Sequence, residues 1–244
     1  MKWIWMFLIS SYAATFAQFP SGDQVIQKID QNMSARTRIV TSKMVIHGRR
    51  GSRTIESKTW VQGEEKSFTE YLSPAREKGT KLLKLADQLW IYSPATDRIV
   101  QIAGHMLRQS LMGSDLSYED LMEDPRLDAH YHATVVEEDT VDQRTCWVLE
   151  LTAKTDAVAY PLRKLWVDQE RSIPLREELY AKSGTLLKRL SLSQVSNIAG
   201  RWFPKKMIFK DMLKEGQGTE FIVISIQFDQ PIPEALFSKA ALRK

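Results

Sequence analysis

Turn signals recur at short, nearly regular intervals along most of this 244-residue chain. They separate runs that are rich in Val, Ile, Leu, Thr and aromatic residues, the composition that β-strands favour. Short turns between such runs predict antiparallel neighbours in a meander, and therefore a mainly β fold. The turn segments are HGRRGS (47–52), VQGEE (61–65), SPATD (93–97), EEDTVDQ (137–143), VDQERSIP (167–174), AKSG (181–184), NIAGRWFP (197–204) and KEGQG (214–218).

The clearest strand is TEFIVISIQFD (219–229). Because successive side chains of a strand point to opposite faces, strict alternation predicts that Phe221 and Val223 lie on one face. The opposite face is predicted to carry Ile222, Ile224, Ile226 and Phe228.

One helix is predicted near the start of the chain. Ser21 followed three residues later by Gln24 is typical of a capping box, and Pro20 precedes the cap. The apolar residues that follow recur at helical spacing and predict a helix from Gly22 to Met33.

The strand pattern is interrupted between Gly104 and Leu127. The segment GHMLRQSLMG (104–113) is loosely helical, and it predicts a helical insertion on the sheet, where a β protein would carry a lid. No Pro- or Ser-rich linker divides the chain, so residues 18–244 are predicted to form one domain.

Within this insertion, MGSDLSYEDLMEDP (112–125) concentrates five acidic residues. Ser117 and Asp120 form the acidic analogue of a capping box, and Asp115 and Glu119 fall at or near the same predicted helix N-terminus. A calcium site is the alternative, but the spacing does not match the twelve-residue calcium loop. The sequence favours a helix start here and predicts no metal.

The first seventeen residues, MKWIWMFLISSYAATFA, have the composition of a secretory signal peptide. Lys2 precedes an apolar run, and Thr15 and Ala17 occupy the small-residue positions before a cleavage site, so the mature chain is predicted to be exported and to begin near Gln18. Without this segment Lys and Arg number 33 against 30 Asp and Glu, and the charges are interspersed, which argues against nucleic acid as a partner. A single cysteine, Cys146, excludes an intramolecular disulfide.

Catalytic motifs are sparse. In DAHYHA (128–133), a strand would place Asp128, His130 and His132 on one side, a set that could hold zinc with an open position for water. A zinc-dependent hydrolase at His130 and His132 is therefore one alternative, and a solvated or structural role is the other. The sequence has no G-x-S-x-G, no H-E-x-x-H and no glycine-rich phosphate loop, so we expect neither an enzyme nor a cofactor.

Large aromatic and flexible apolar side chains are the candidates for an apolar binding surface. Tryptophan supplies a large apolar area, and methionine adapts to irregular ligands, although ordinary core packing would use the same residues. The candidate lipid-binding residues are Trp60, Trp90, Met106, Leu111, Met112, Met122, Trp147 and Trp166.

Four segments, taken in order, resemble the LolA-like family of outer-membrane lipoprotein-sorting proteins of Gram-negative bacteria. They are GTKLLKLADQLWIYSPATDRIVQI (79–102), MGSDLSYEDLM (112–122), RKLWVDQERSIPLREELYAKSGTLLKRL (163–190) and RWFPKKMIFKD (201–211). The resemblance implies an open antiparallel β half-barrel whose concave face is closed by helices and holds acyl chains. It also implies an arginine latch between barrel and lid, for which Arg49, Arg50, Arg53 and Arg108 are candidates by character.

The expected function is a periplasmic carrier or chaperone that shields the acyl chains of a lipid or lipoprotein on the way to the outer membrane. The resemblance implies an inner-membrane transporter and an outer-membrane acceptor as partners, and we expect the carrier to be a monomer. The alternative is an envelope sensor that uses the same cavity to bind a lipid signal and passes a change of shape to a membrane partner.

Overall fold

The computed structural model of this protein describes residues 19–48 and 51–244. The signal peptide predicted at residues 1–17 lies outside this range and stays a prediction. Three α-helices are present in the described residues: α1 (Gly22–Met33), α2 (Tyr118–Met122) and α3 (Leu127–His130). The strands are β1 (Thr37–Gly48), β2 (Gly51–Gln62), β3 (Lys66–Ser73), β4 (Lys81–Leu85), β5 (Gln88–Ser93), β6 (Arg98–Ile102), β7 (Tyr131–Val141), β8 (Arg144–Ala153), β9 (Leu162–Asp168), β10 (Ile173–Tyr180), β11 (Leu186–Ile198), β12 (Arg201–Asp211) and β13 (Thr219–Phe228).

All thirteen strands form one antiparallel sheet in the order β6-β5-β4-β3-β2-β1-β13-β12-β11-β10-β9-β8-β7. The order describes two meanders, β1 to β6 and β7 to β13, which join where β1 pairs with β13. The sheet does not close on itself, and β6 and β7 form its two edges. The predicted mainly β, open half-barrel fold with an N-terminal helix and a helical insertion is confirmed.

The prediction for the two faces of β13 was wrong. The register between β1 and β13 shifts at Thr41 and Ser42, which pair with Ser225 and Val223, so Ile224 forms a β-bulge. A bulge adds one residue to the strand and reverses the face on which the following side chains lie. Ile224 is consequently 46% exposed. The side chains that share one apolar cluster are Phe221, Val223, Ile226 and Phe228.

One face of the sheet, here called the inner face, carries α1. Val25, Ile26 and Ile29 of α1 pack on inward side chains of β8 and β9, such as Leu149 and Leu165. The bounds of α1 match the prediction, but the hydroxyl of Ser21, its N-cap residue, makes no capping hydrogen bond.

The start of α1 also covers the edge strand β7. A Cβ on Gly22 would lie 2.2 Å from the carbonyl oxygen of Ala133, so only glycine permits this approach. The carboxylate of Asp23 accepts a hydrogen bond from the Ala133 amide at 2.9 Å. This cover satisfies an amide that an edge strand would otherwise present to another chain.

The opposite, outer face of the sheet is covered by the C-terminal segment. Phe237 and Leu242, in and beside two short 3-10 helices (Glu234–Leu236 and Lys239–Arg243), pack on Phe68, Leu83 and Trp90. Adjacent residues in the same strands face inward, because Leu82 and Leu89 belong to the inner cluster.

Residues 103–130, here called the insertion, connect the edge strands β6 and β7. The insertion contains α2, α3 and two 3-10 helices (Gly104–Arg108 and Leu111–Gly113). Leu111 and Leu116 are buried against the inner face of β1 to β6. Because β6 and β7 are the two edges of the sheet, the connection between them has to pass from one edge to the other, and its packing shows that it does so across the inner face. In residues 19–48 and 51–244, no helix is long and apolar enough to cross a membrane.

Candidate ligand cavity

An apolar cavity of about 360 Å³ lies between the inner face and the insertion. Its volume is within the range of about 300–1,000 Å³ that small-ligand sites usually have. The strands contribute the larger part of the wall, and Leu111, Leu121 and Pro125 contribute the cover. The apolar wall of the sheet includes Val40, Met44, Val61, Leu82, Leu89, Phe203, Met207, Phe221, Val223 and Ile226.

A second cavity of about 270 Å³ continues from the first beneath α1 and α3. Met33, Arg38, Glu64, Glu123 and Pro125 line both cavities. Arg38 and Glu64 form an ion pair at 3.3 Å, so this stretch of the wall is polar but internally paired. A wider cleft of about 900 Å³ adjoins them and opens between the insertion and the segment before β9. Glu123 lines all three spaces and marks the point where they meet.

A buried arginine fastens the insertion to the sheet at this point. The guanidinium of Arg163, on β9, donates to Glu123 of the insertion at 2.5 Å and to Glu177 of β10 at 3.0 Å. It also donates to the hydroxyl of Tyr131 at 2.8 Å, and its side chain is only 9% exposed. Burial opposes the charge of Arg163, but the two carboxylates outweigh burial and raise its pKa. Burial raises the pKa of Glu123 even with the arginine beside it.

A second polar link joins α2 to the sheet. Asp120 accepts hydrogen bonds from the ammonium of Lys188, on β11, and from the hydroxyl of Tyr160 at 2.6 Å. The same carboxylate accepts the Ser117 amide at 2.6 Å, while the Ser117 hydroxyl accepts the Asp120 amide at 3.3 Å. The predicted capping box is therefore confirmed, and its acidic member also holds the short helix on the sheet.

Three more basic side chains donate to the insertion. Arg53, on β2, donates to the carbonyl oxygen of Met112, and Lys84, on β4, donates to that of Met122 at 3.2 Å. Lys214 donates to the hydroxyl of Ser110 at 2.8 Å. The insertion is thus held by basic residues that come from widely separated parts of the sheet.

Among the arginines considered from the sequence as latch candidates, Arg53 contacts the insertion. Arg108 lies within the insertion and lines the wide cleft, and residues 49 and 50 are outside the described range. Arg163 was missed. A signal for it exists in the sequence, because Arg163 shares its face of β9 with the buried residues Leu165 and Val167, and a charge on an apolar face needs a buried partner.

Asp115 does not lie at a helix N-terminus, since α2 begins at Tyr118. Its carboxylate accepts the Asp211 amide at 3.0 Å and the Thr219 hydroxyl at 2.8 Å, which ties the insertion to the ends of β12 and β13. Within residues 19–48 and 51–244, no group of three His, Cys, Asp or Glu side chains is placed to hold a metal ion.

The single strand predicted for Asp128, His130 and His132 was wrong. Asp128 and His130 belong to α3, and β7 begins at Tyr131, so alternation does not align the three side chains. His130 Nε2 lies 3.0 Å from Asp124 Oδ2, while Asp30 of α1 accepts the amide of Asp128 at 2.8 Å. The bond between Asp30 and Asp128 thus joins the insertion to α1.

The candidate lipid-binding residues occupy different places in the fold. Leu111 lines the apolar cavity and Met122 lines the adjoining cleft, while Met106 and Met112 pack in the cluster beneath the insertion. Trp147 lies on the inner face against the cluster beneath α1, with its ring 5.8 Å from that of Phe19.

Three tryptophans lie on the other side of the sheet. Trp60 and Trp90 belong to the outer-face cluster under the C-terminal segment. Trp166 alternates with the inward residues Leu165 and Val167, and its indole N–H donates to Asp139 at 2.9 Å. None of these three is among the residues that line the cavities.

Solved structures share this open antiparallel fold. A DUF1329 family protein from Desulfovibrio piger is 27% identical, with a TM-score of 0.83 over 91% of this chain and 97% of that chain. A putative outer membrane lipoprotein-sorting protein domain from Vibrio parahaemolyticus is 24% identical, with a TM-score of 0.80 over 91% of this chain and 98% of that one. A LolA superfamily protein from Nitrosomonas europaea is 23% identical, with a TM-score of 0.75 over 91% of this chain and 100% of that chain.

A family model described as "-like: Uncharacterized protein" matches residues 63–244, well over half of the chain. The chain belongs to that family, and its fold is the LolA-like fold of outer-membrane lipoprotein-sorting proteins, as the resemblance implied. No curated protein sequence matches the chain.

Proposed function

We propose that this protein is an envelope carrier that shields the acyl chains of a lipid or lipoprotein in the apolar cavity. The observation that carries the proposal is the space under the insertion, whose wall is mainly apolar on β1, β4, β5, β12 and β13, while β2 and β3 also contribute hydroxyl side chains such as Ser57, Thr59 and Thr69. The similarity to a lipoprotein-sorting domain supports the same class of ligand.

The physical reason for such a carrier is the cost of exposing an acyl chain to water. Each CH₂ group gains about 0.8 kcal/mol on burial, so a chain leaves one membrane for another slowly unless a protein shields it. The insertion would admit the chain by moving off the sheet. Many of its attachments are hydrogen bonds and ion pairs, and water can replace such bonds at small net cost when the insertion lifts.

The proposal also includes export of the protein and transfer of its cargo between membranes. The protein would work in the periplasm after cleavage near Ala17, receive its cargo from an inner-membrane transporter and deliver it to an outer-membrane acceptor. N-terminal sequencing of envelope-fraction protein should find Gln18 at or near the start, and an intact Met1 on membrane-retained protein would contradict it.

Filling the cavity tests the binding step. Val40 lies on the inner face, only partly buried, and lines the cavity, so Val40→Trp should occupy space that a ligand needs. Titration with a fluorescent fatty acyl probe should show binding to the unmodified protein and affinity at least about tenfold lower for the variant, a change of about 1.4 kcal/mol. Ile224→Trp is the matched control, because Ile224 is 46% exposed on the bulge, and it should bind as the unmodified protein does.

Two results would overturn the proposal: no probe binding by the unmodified protein at tens of micromolar, or equal binding by the Val40→Trp and control proteins. Lipid that co-purifies from the envelope should be identified by mass spectrometry. If the protein holds lipid but isolates in a stable complex with a signalling protein and never transfers its lipid to acceptor membranes, the sensor role replaces the carrier role.

A further inference from the structure

A separate surface pocket of about 470 Å³ lies between α1, the β9–β10 turn and the β11–β12 turn. Three basic residues line it, Lys28, Arg171 and Arg201, together with the amide side chains of Gln31 and Asn32. No carboxylate is among the lining residues. The pocket shares no lining residue with the apolar cavity under the insertion.

Arg171 is held in place without using its hydrogen-bond donors. Its guanidinium carbon lies 4.9 Å from the ring centroid of Trp202, in stacking distance. The nearest carboxylate oxygen, on Asp168, is 3.9 Å away, which is too far for a hydrogen bond. Across residues 19–48 and 51–244, the Arg171 side chain donates no hydrogen bond, although it is only 30% exposed.

Asp168 is already satisfied by other donors. Arg144 donates to its two oxygens at 2.8 and 3.1 Å, and the amides of Glu170 and Arg171 donate to it at 3.0 and 3.1 Å. A fully buried carboxylate with four such donors has little reason to draw in a second guanidinium. The fork of Arg171 is consequently available to a ligand.

Asn32 makes the pocket rigid. Its amide nitrogen donates to the carbonyl oxygen of Arg171 at 2.9 Å, and its amide oxygen accepts the Trp202 amide at 2.8 Å. One side chain therefore fixes α1, the β9–β10 turn and the start of β12 relative to one another. Lys28 lies four residues before Asn32 and so on the same side of α1.

The charges around the pocket leave an excess of positive charge. Arg201 is paired with Asp229 at 3.1 Å. Lys28 has no ion-pair partner within the part of the chain that the structure describes. Lys28 thus has no carboxylate partner among the described residues. Arg171 shares its one neighbouring carboxylate, Asp168 at 3.9 Å, with the closer Arg144 at 2.8 Å.

We propose that this pocket binds an oxyanion of the phosphate class. A planar guanidinium fork matches two oxygens of a phosphate, and an ammonium that lines the same pocket adds a point charge, so Arg171 and Lys28 supply the usual pair of contacts. A free phosphate and the headgroup of an anionic phospholipid present the same chemistry. The site stands independently of the acyl cavity, because no residue is common to the two.

The test combines two probes with matched variants of the full mature chain. Inorganic phosphate should shift the backbone amide resonances of Ala199 and Gly200 in a saturable titration. Arg171→Gln should weaken this binding about tenfold or more, a change of about 1.4 kcal/mol, since the charge-assisted bonds of the guanidinium are lost. Lys28→Gln, at an exposed residue with no contact to disturb, should weaken it severalfold without affecting folding. Lys182→Gln is the control, because this lysine is 82% exposed and remote from the lining, and it should change nothing.

The second probe distinguishes the source of the phosphate group. Vesicles of phosphatidylglycerol, compared with phosphatidylcholine, should retain the protein through Lys28 and Arg171 if a lipid headgroup is the ligand. Binding of inorganic phosphate without vesicle retention would assign the site to a free phosphate. If neither probe binds, or if both bind equally to the unmodified protein and to the Arg171 and Lys28 variants, the proposal is wrong.

Discussion

Ser117 and Ser21 both precede a helix, but only Ser117 uses its hydroxyl as a cap. The Ser117 hydroxyl accepts the amide of Asp120, whereas the hydroxyl of Ser21 bonds to no amide of α1. Replacing Ser117 by alanine should therefore lower the free energy of unfolding by about 0.5–2 kcal/mol. Urea denaturation measures it, with Ser21→Ala as the matched control.

The control should change the free energy of unfolding by no more than about 0.5 kcal/mol, because no bond is lost. Bound calcium should be absent from the unmodified protein and from both variants when metal is measured by mass spectrometry. Equal losses for the two serines would contradict the assignment of the cap, and stoichiometric calcium released by Asp120→Asn would replace the cap with a metal site.

Removal of Arg163 should destabilise the fold strongly. Arg163→Met would leave Glu123 and Glu177 without their cation in a buried place, and breaking a buried pair in this way costs about 3–5 kcal/mol. The effect should be read as a loss in free energy of unfolding by denaturant titration. Arg176→Met is the control, since Arg176 is 35% exposed and lies 3.6 Å from its carboxylate partner, and we expect a loss of at most about 1 kcal/mol.

Lowering the pH should reduce the difference in free energy of unfolding between the Arg163→Met and Arg176→Met proteins. Protonated carboxyl groups no longer need a cation, and burial raises the pKa of Glu123, so its proton returns early as the pH falls. If the Arg163→Met protein loses the same free energy of unfolding at pH 7 and at pH 4.5, lost packing rather than lost charge accounts for that destabilisation.

At the scale of elements, α1 joins the insertion to β7 through two aspartates seven residues apart. Asp30 accepts the amides of Leu127 and Asp128 at 3.0 and 2.8 Å and so caps α3 from a different helix. Asp23 accepts the amide of Ala133 in the edge strand β7. The insertion thus depends on α1 for the backbone bonds at its end, and the two elements should loosen together.

The titration of Asp30 follows from this arrangement. Burial raises the pKa of its carboxyl from 3.8 to about 6, with the neighbouring Asp128 also raising it. Between about pH 4 and about pH 6, the Asp30 carboxyl is protonated in the folded protein but ionised in the unfolded chain. The contribution of Asp30 to stability therefore falls as the pH rises through this range. Carboxyl NMR should show a midpoint near 6.

Asp30→Asn supplies the comparison. The variant should lack the midpoint near 6, and its free energy of unfolding should fall less steeply than that of the unmodified protein over the same pH interval. Asp23→Asn, which changes the other aspartate of α1, should leave the Asp30 midpoint in place. A midpoint at or below 4 in the unmodified protein would contradict the burial of this carboxyl.

At the scale of the whole molecule, one sheet is stabilised on both faces by separate parts of the chain. The insertion and α1 cover the inner face, and the C-terminal segment covers the outer face of β3 to β5. With this division, the proposed opening of the cavity would leave the outer-face core covered. The outer cover does not depend on the insertion, so the sheet keeps a packed face whatever the insertion does.

The outer cover should be essential to stability. Leu242 is completely buried, and Leu242→Ala should lower the free energy of unfolding by about 2–5 kcal/mol. Leu213→Ala is the matched control, because Leu213 is 72% exposed, and it should change stability by no more than about 0.5 kcal/mol. Thermal and denaturant unfolding measure both, and equal small losses would show that the C-terminal segment is dispensable.

Local patterns along the chain were sufficient for the elements of this fold. The bounds of α1, the helical insertion and the capping box of Ser117 and Asp120 were predicted correctly. Each depends on residues a few positions apart, whose preferences act before distant contacts form. The predicted turn segments coincide with connections between strands, but 137–143 and 197–204 extend into β7 and β12, and the connections at 74–80, 86–87 and 154–161 were not predicted. The resemblance added the open half-barrel, which local patterns alone do not distinguish from a closed barrel or a sandwich.

Contacts between distant residues decided the rest. The bulge at Ile224 reversed the faces of β13, because pairing with β1, nearly two hundred residues earlier in the chain, determines where the extra residue is placed. Trp60 and Trp90 lie on the outer face because the last residues of the chain cover them there. Arg163 and Glu123 meet because β9 and the insertion are brought together only when both meanders have joined. The sequence alone determines which segments form strands and helices, whereas the assembled sheet decides which side chains face the cavity, since a face is defined only by what packs against it.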